Sequence, residues 1–297
     1  SFFIYFIAIF LFKNHDDFSY YHMSFITNLT LNKIEFGISH FDVAFNHNSS
    51  LFYFHSLFKT FLTGDYFYQI GQASLVIFVN TILLENIFVN KKDTKLNTSY
   101  FLSLFLLVFI NIFFYRLAEH GTDRSAQILF FLTLIITIKI FENKKNLNEA
   151  FELLLILFTL IVTIKSFYIL YSVILIYLFF RYFIKYNFLY FLKKFPIILL
   201  CLSIFFLMII YNIASSGCIL YPIAETCPDA FFWSYGSEKV SSYKVWYELW
   251  SKAGATPNYV IENIDHYLTG LNWLPNWIDN YFFNKFSDYL LGILLTS

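Results

Sequence analysis

Long apolar runs recur along this chain with almost no charge inside them. They cover 66–89, 99–115, 125–141, 151–164, 167–180 and 195–214, with partial runs at 1–12 and 286–297. Backbone buried in hydrocarbon must satisfy its own hydrogen bonds, so runs of this kind fold as membrane helices. The expected fold class is all-α, a polytopic membrane helix bundle forming a single membrane domain over 1–297. Composition agrees. Charged residues make up 13% of the chain, against about 25% in a soluble domain. A cytosolic enzyme, a disordered chain and a nucleic-acid binder are thereby excluded, and a net charge of zero leaves no dominant basic surface. The 41 Phe and 23 Tyr carry no functional weight, because the excess extends to Ile, Asn and Lys, the residues of AT-rich codons.

A spanning helix needs about 20 apolar residues. Each terminal run supplies about half of that, so the chain reads as an internal fragment of a longer protein. A signal peptide is a weaker reading of 1–12, which lacks a basic start and a small-residue cleavage site.

The runs 151–164 and 167–180 are separated only by Lys165 and Ser166. As one straight helix they would reach about 45 Å, too long for a core of about 30 Å. They are expected to form a tight hairpin of short arms, with Lys165 at its turn in a wet cavity below the interface. Orientation follows from the basic loops. Lys91, Lys92 and Lys95, then Lys144 and Lys145, then Arg181, Lys185, Lys193 and Lys194 fall on one side by alternation. That side is assigned to the cytoplasm. The opposite side receives 13–65, 116–124, the Lys165 turn and 215–285, and with them all 7 histidines. Chemistry gathered at one surface, with nearly uncharged spans, points to a site at the outer membrane face. A channel or carrier more often places ionisable groups at the midplane.

The first outer loop, 13–65, sets Asp16 and Asp17 just after a span, flanked by His15 and His22. A carboxylate at that position suits a general base acting on a sugar hydroxyl. The competing reading is a polar interfacial loop with a helix N-cap at Asp17. His15, Asp16, His22, His40 and Asp42 are metal-binding residue types without a familiar ligand spacing. Leu51, Phe54, Phe58, Phe61 and Leu62 recur at helical spacing, with His55 and Lys59 off the stripe, which predicts an amphipathic helix in the interface, capped from Asn48–Ser50. The second outer loop carries Arg116, Glu119, His120, Asp123 and Arg124. Its arginines are suited to phosphate or to snorkelling from helix ends. Lys165 would add a third cation.

Residues 215–285 hold Cys218, Cys227 and all 5 tryptophans. Cys218 and Cys227 are expected to pair as a disulfide on the outer side, the other reading being two free thiols. Cys201 lies inside a span as a packing residue. The tryptophans suit either interface anchoring or stacking on sugar, and 245–251 suggests an amphipathic helix on the membrane surface.

Asp17-Phe-Ser-Tyr-Tyr-His22 after a first span resembles the opening landmark of a family of uncharacterised bacterial multi-pass membrane proteins. Later landmarks look similar and keep the same order: Gly37 through Asn48, Ser49 and Ser50; Thr122-Asp123-Arg124-Ser-Ala126; Thr163-Ile-Lys165; Ser216 and Gly217 with Leu220-Tyr221-Pro222. The resemblance covers nearly the whole chain. Those proteins are in turn similar to GT-C membrane glycosyltransferases, which take sugar from a polyprenyl-phosphate donor at the extracytoplasmic face. The resemblance implies a GT-C-like fold in the bacterial inner membrane and a base at Asp17, with Asp16 the adjacent candidate. His22, Arg116, His120, Asp123, Arg124 and Lys165 would be substrate-binding. The partners implied are a polyprenyl-phosphate-linked sugar, a glycan or lipid acceptor, and membrane lipids. No cofactor is called for, although a divalent metal is compatible. A non-catalytic transporter of polysaccharide or lipid-linked sugar, or a polymerase partner, is the alternative.

Overall fold

Asparagine side chains set where two of the membrane helices begin. Asn97 accepts from the Tyr100 N–H at 2.9 Å, and Asn146 accepts from the Asn148 N–H at 3.0 Å. Each satisfies a donor that the first helical turn leaves open. In the computed structural model the described residues are 2–11, 15–59, 68–90, 97–142, 145–186, 191–256, 258–287, 290, 291 and 294. The basic residues Lys91, Lys92, Lys95 and Lys144, and the apolar residues Phe61 and Leu62, lie outside them.

The chain divides into two compact units. Unit 1 comprises Ser1–Ile34 and His47–Ile210; unit 2 comprises Glu35–Asn46 and Tyr211–Ser297. Residues 35–46 thus belong to the unit built mainly from 211–297, while the stretches on either side of them belong to unit 1.

Unit 1 contains α1 (Phe2–Leu11), α2 (Met23–Leu31), α3 (Ser50–Ser56), α4 (Ile70–Asn90), α5 (Thr98–Phe113), α6 (Gly121–Phe141), α7 (Leu147–Ile164), α8 (Ser172–Lys185) and most of α9 (Phe195–Ser216). Among the described residues, 5 helical stretches are long and apolar enough to cross a membrane: 70–89, 121–141, 147–164, 166–185 and 195–216. The protein is an all-α, multi-pass membrane helix bundle. α6 is its centre, packed on α4, α5 and α7, with Ala126, Leu129, Leu132 and Ile136 buried. α8 and α9 turn large apolar side chains outward, among them Ile176, Phe180, Phe206 and Leu207, as lipid-facing helices do.

Several expected spans differ from their apolar runs. α5 has 16 residues, about 24 Å, and ends where the Phe114 carbonyl is taken by His120 Nε2 at 2.6 Å. The hairpin arms are longer than their apolar runs. α7 begins at Leu147 because Asn146 caps it, and a 3-10 stretch, Ser166–Tyr171, continues into α8 as far as Lys185. Polar residues at the outer ends of both arms hid this length. The arms are about 27 and 33 Å, so short arms no longer place Lys165 below the interface.

Polar side chains also bond from helix to helix. Asn80 (α4) donates to Tyr5 Oη (α1) at 2.8 Å and to Asn111 Oδ1 (α5) at 3.0 Å, and Asn111 returns a bond at 3.2 Å. At the end that carries the 91–96 connection, Glu142 Oε1 accepts from the Ser99 N–H at 3.1 Å.

Unit 2 is held by short-range fastenings. Cys218 and Cys227 form a disulfide, with Tyr221, Tyr235 and Val240 buried around it. Helix α10 (Ser237–Ser251) extends well beyond the predicted 245–251 segment and buries Val240 and Leu249. A two-stranded antiparallel ribbon pairs Ala255 with Val260. Tyr235 donates to the Ser39 carbonyl, and Tyr267 to the Lys252 carbonyl at 2.7 Å. Cys201 is a free, buried cysteine.

Candidate functional site

After α1 the described chain resumes at His15 and enters a single π-helical stretch, Phe18–His22, that runs on into α2. Asp17 occupies the N-cap position, yet its side chain makes no capping bond. Its backbone N–H donates instead to His15 Nδ1 at 3.1 Å. Asp17 Oδ2 approaches the same atom at 3.7 Å. The carboxylate side chain is 49% exposed. The N-cap reading of Asp17 therefore holds for its position and not for its side chain.

His15 joins the segment that follows α1 to the loop between α5 and α6. Its backbone N–H donates to the Ala118 carbonyl at 2.9 Å, and its ring stacks on His22 at 5.6 Å. Gly121 makes this junction possible. Its φ is +53°, and a Cβ there would lie 3.1 Å from the His15 ring, so only glycine fits without displacement.

His22 is buried against Tyr21 and Phe52. Its Nε2 has no hydrogen-bond partner among the described residues. Burial pushes its pKa down to about 3, helped by His15, His55, Lys165 and His47. His47 is lowered to about 4, first by burial and then by Lys165, with Asp123 opposing. His55 falls to about 3 through burial, with the Gln72 side chain opposing. These rings are neutral at pH 7.

Lys165 ends α7, and its Nζ lies 2.6 Å from Asp123 Oδ1 in the first turn of α6. The pair is open to solvent, at 37% and 64% exposure. The backbone beneath it is fastened. Ser49 Oγ donates to the Ile164 carbonyl at 2.8 Å, and the Thr163 hydroxyl donates to Ser50 Oγ at 3.0 Å. Ser49 also caps α3, accepting from the Leu51 N–H.

α3 departs from the predicted interfacial helix. It packs on α2, α4 and α7, and its buried side chains are Leu51, Phe52 and His55, while Phe54 is exposed. The stripe traced through Phe54 left His55 off the buried face, whereas α3 packs His55 inward and leaves Phe54 exposed.

The second loop arranges its cations differently from the expected convergence. Arg116 donates to Tyr115 Oη at 2.9 Å and to Glu119 Oε1 at 3.2 Å. The Arg124 guanidinium lies over the Phe114 ring at 5.4 Å. His120 is buried, donating Nε2–H to the Phe114 carbonyl. Its pKa is lowered to about 4 by burial, with the Phe114 bond opposing and Arg124 adding to the fall. It braces the loop from beneath.

The structure thus brings His15, Asp17 and His22 into contact and pairs Lys165 with Asp123, and the charge of Lys165 reaches His22 and His47 electrostatically. Asp16 adjoins Asp17 in sequence. Arg116 and Arg124 sit on the second loop with their own partners. His47 was missed as a site residue, although its neighbours Asn48, Ser49 and Ser50 were recognised as a landmark. Among the described residues, no three His, Cys, Asp or Glu side chains are grouped as a metal ion requires. His40, named with the possible ligands, belongs to unit 2, where its Nε2 meets the Trp233 carbonyl at 2.9 Å.

No curated protein and no solved structure matches the chain. One family does match, and over the full length: the chain, residues 1–297, belongs to the family described as Domain of unknown function (DUF8201).

Proposed function

We propose that this chain is a GT-C-like membrane glycosyltransferase of the bacterial inner membrane. It would move sugar from a polyprenyl-phosphate donor to a cell-envelope glycan or lipid acceptor at the extracytoplasmic face. The observation that carries the reading is the half-exposed Asp17 carboxylate, released from capping and set beside the junction of the two loops.

In this reading Asp17 takes the proton of an acceptor hydroxyl. The oxygen attacks the anomeric carbon, inverting it. The bond from that carbon to the donor phosphate breaks, and its electron pair leaves with the polyprenyl phosphate. Lys165, held by Asp123 before donor binds, exchanges that carboxylate for the phosphate and stabilises the leaving group. Neutral His22 and His47 line the approach without competing for the phosphate as cations. Arg124 supplies positive potential from the second loop.

The alternative is a non-catalytic transporter of lipid-linked sugar or a polymerase partner. It is favoured by the engagement of Lys165 and Arg116 with carboxylates, which leaves less unpaired positive charge than a phosphate site wants. The deciding experiment restores a deletion strain with wild type or Asp17→Asn and compares surface-glycan masses. Loss of one sugar's mass that only wild type repairs supports the transferase. Full repair by Asp17→Asn moves the base elsewhere, and an unchanged glycan in the deletion strain sets the transferase reading aside.

A further inference from the structure

Unit 2 carries four aromatic rings gathered where α9 ends. The Trp233 ring is the hub. Phe231 stacks on it at 4.7 Å, Phe36 meets it at 4.8 Å, and Phe232 meets it edge-on at 4.9 Å. Phe232 is 95% exposed, Phe36 64% and Phe231 42%. Single exposed apolar residues need no explanation, whereas an adjoining group of large rings marks an interaction surface.

The group is fastened to the last turns of a spanning helix. Trp233 Nε1 donates to the Ile213 carbonyl at 3.0 Å, and the Gly37 N–H donates to the Ala214 carbonyl at 2.8 Å. Gly37 has φ +74°, and a Cβ there would lie 2.9 Å from Trp233 Cβ, so this approach also depends on glycine. α9 has 22 residues, about 33 Å, which matches a hydrocarbon core of about 30 Å. Its end therefore lies at the edge of the core. The Trp233 ring, bonded to Ile213, and the Phe rings packed on it lie at that level. Aromatic rings with one polar handle favour this depth.

We infer that Phe36, Phe231, Phe232 and Trp233 form a ledge that enters the lipid bilayer at its interface and holds unit 2 on the membrane surface. The occupant is lipid, not sugar or a second protein. The ledge is independent of the chemistry proposed for unit 1.

The test is a depth measurement on the whole chain. Phe232→Cys is made with Cys201→Ser, the Cys218–Cys227 disulfide is kept, and the new thiol is spin-labelled. The protein is placed in phosphatidylcholine–phosphatidylglycerol vesicles, and collision rates with oxygen and with a water-soluble nickel chelate are compared. Leu207→Cys, on the exposed face of α9, serves as the lipid reference, and free label in buffer as the water reference. Oxygen collisions are expected to exceed nickel collisions several-fold at 232, approaching the Leu207→Cys ratio. Phe36→Cys, also highly exposed, provides a second position that does not depend on the first variant folding. Nickel exceeding oxygen at both positions would overturn the inference. Exclusion of both reagents at both positions would also overturn it, because protein would then cover the ledge.

Discussion

Two polar groups in unit 1 are built on opposite terms. Asn80, Asn111 and Tyr5 bond to one another across three helices, with Asn80 buried and Asn111 exposed at the bundle surface. Asn111 also donates to the Leu107 carbonyl of its own helix at 2.7 Å. At the end of the bundle, among the described residues, His22 keeps an unpartnered buried nitrogen, Asp17 makes no capping bond, and Lys165 and Asp123 meet in the open. A group whose members bond one another serves the fold, since each member is costly to leave unpaired. An open group at a surface has bonding capacity left for something else. The difference separates a structural use of polar residues from a chemical one within a single unit.

The comparison breaks first at Asp17. Asp17→Asn should lower sugar transfer by purified protein by roughly 10²–10⁴-fold, with the thermal midpoint unmoved because the carboxylate makes no capping bond. Transfer at the wild-type rate would remove the chemical half of the contrast.

The next effect concerns pH. Folded His55 takes a proton only near pH 3, while an unfolded histidine does so near 6.5. Between those values the unfolded chain binds more protons, so stability rises with pH and is lost as pH falls. The buried ring should cost about 2–3 kcal/mol at about pH 4.5. Thermal unfolding in detergent should show a midpoint falling from about pH 7 towards pH 4.5, with a shallower fall in His55→Gln. An equal slope in the variant would mean that His55 is not held neutral.

Lys165 sharpens the contrast through a pair of opposite signs. Lys165→Ala should weaken donor binding about ten- to a hundredfold, the scale of one charged hydrogen bond. Asp123→Asn should strengthen it several-fold by releasing the lysine. Titration with a short-chain polyprenyl-phosphate sugar measures both, and the same sign for both would argue against exchange of partners at Lys165.

The smallest effect tests the group whose members bond one another. Asn80→Leu should cost about 1 kcal/mol by removing its bonds to Tyr5 and Asn111, which keep their bond to each other, without touching transfer. An unfolding titration beside a transfer assay measures both, and a loss of transfer in this variant would blur the contrast.

Much of the helical frame was legible in the sequence, because apolar runs between polar loops carry the signal directly. The ends were less so. Asn146 starts α7 four residues before its apolar run, and a polar cap reads like a loop residue until the helix is seen. His55 was misplaced because a stripe of five apolar positions cannot say whether lipid or protein covers it, and α3 is covered on more than one face. The influence of Lys165 on His22 and His47 links positions far apart in the chain, and no local pattern encodes that proximity. Asp16, Asp17 and the Lys165 turn were identified from the types of residue they gather, whereas the carboxylate partners of Lys165 and Arg116 appeared only with the fold.

The two-segment make-up of unit 2 bears on how such a protein can change over generations. Unit 2 takes 35–46 from early in the chain and 211–297 from its end. Tyr235 needs the Ser39 carbonyl, and the Ala214 carbonyl needs the Gly37 N–H. A recombination that exchanged only the coding segment for 211–297 would deliver a unit missing one of its own pieces. Lineages carrying this arrangement are therefore expected to diversify unit 2 by point substitution, with the two segments changing in concert, rather than by trading it as a block.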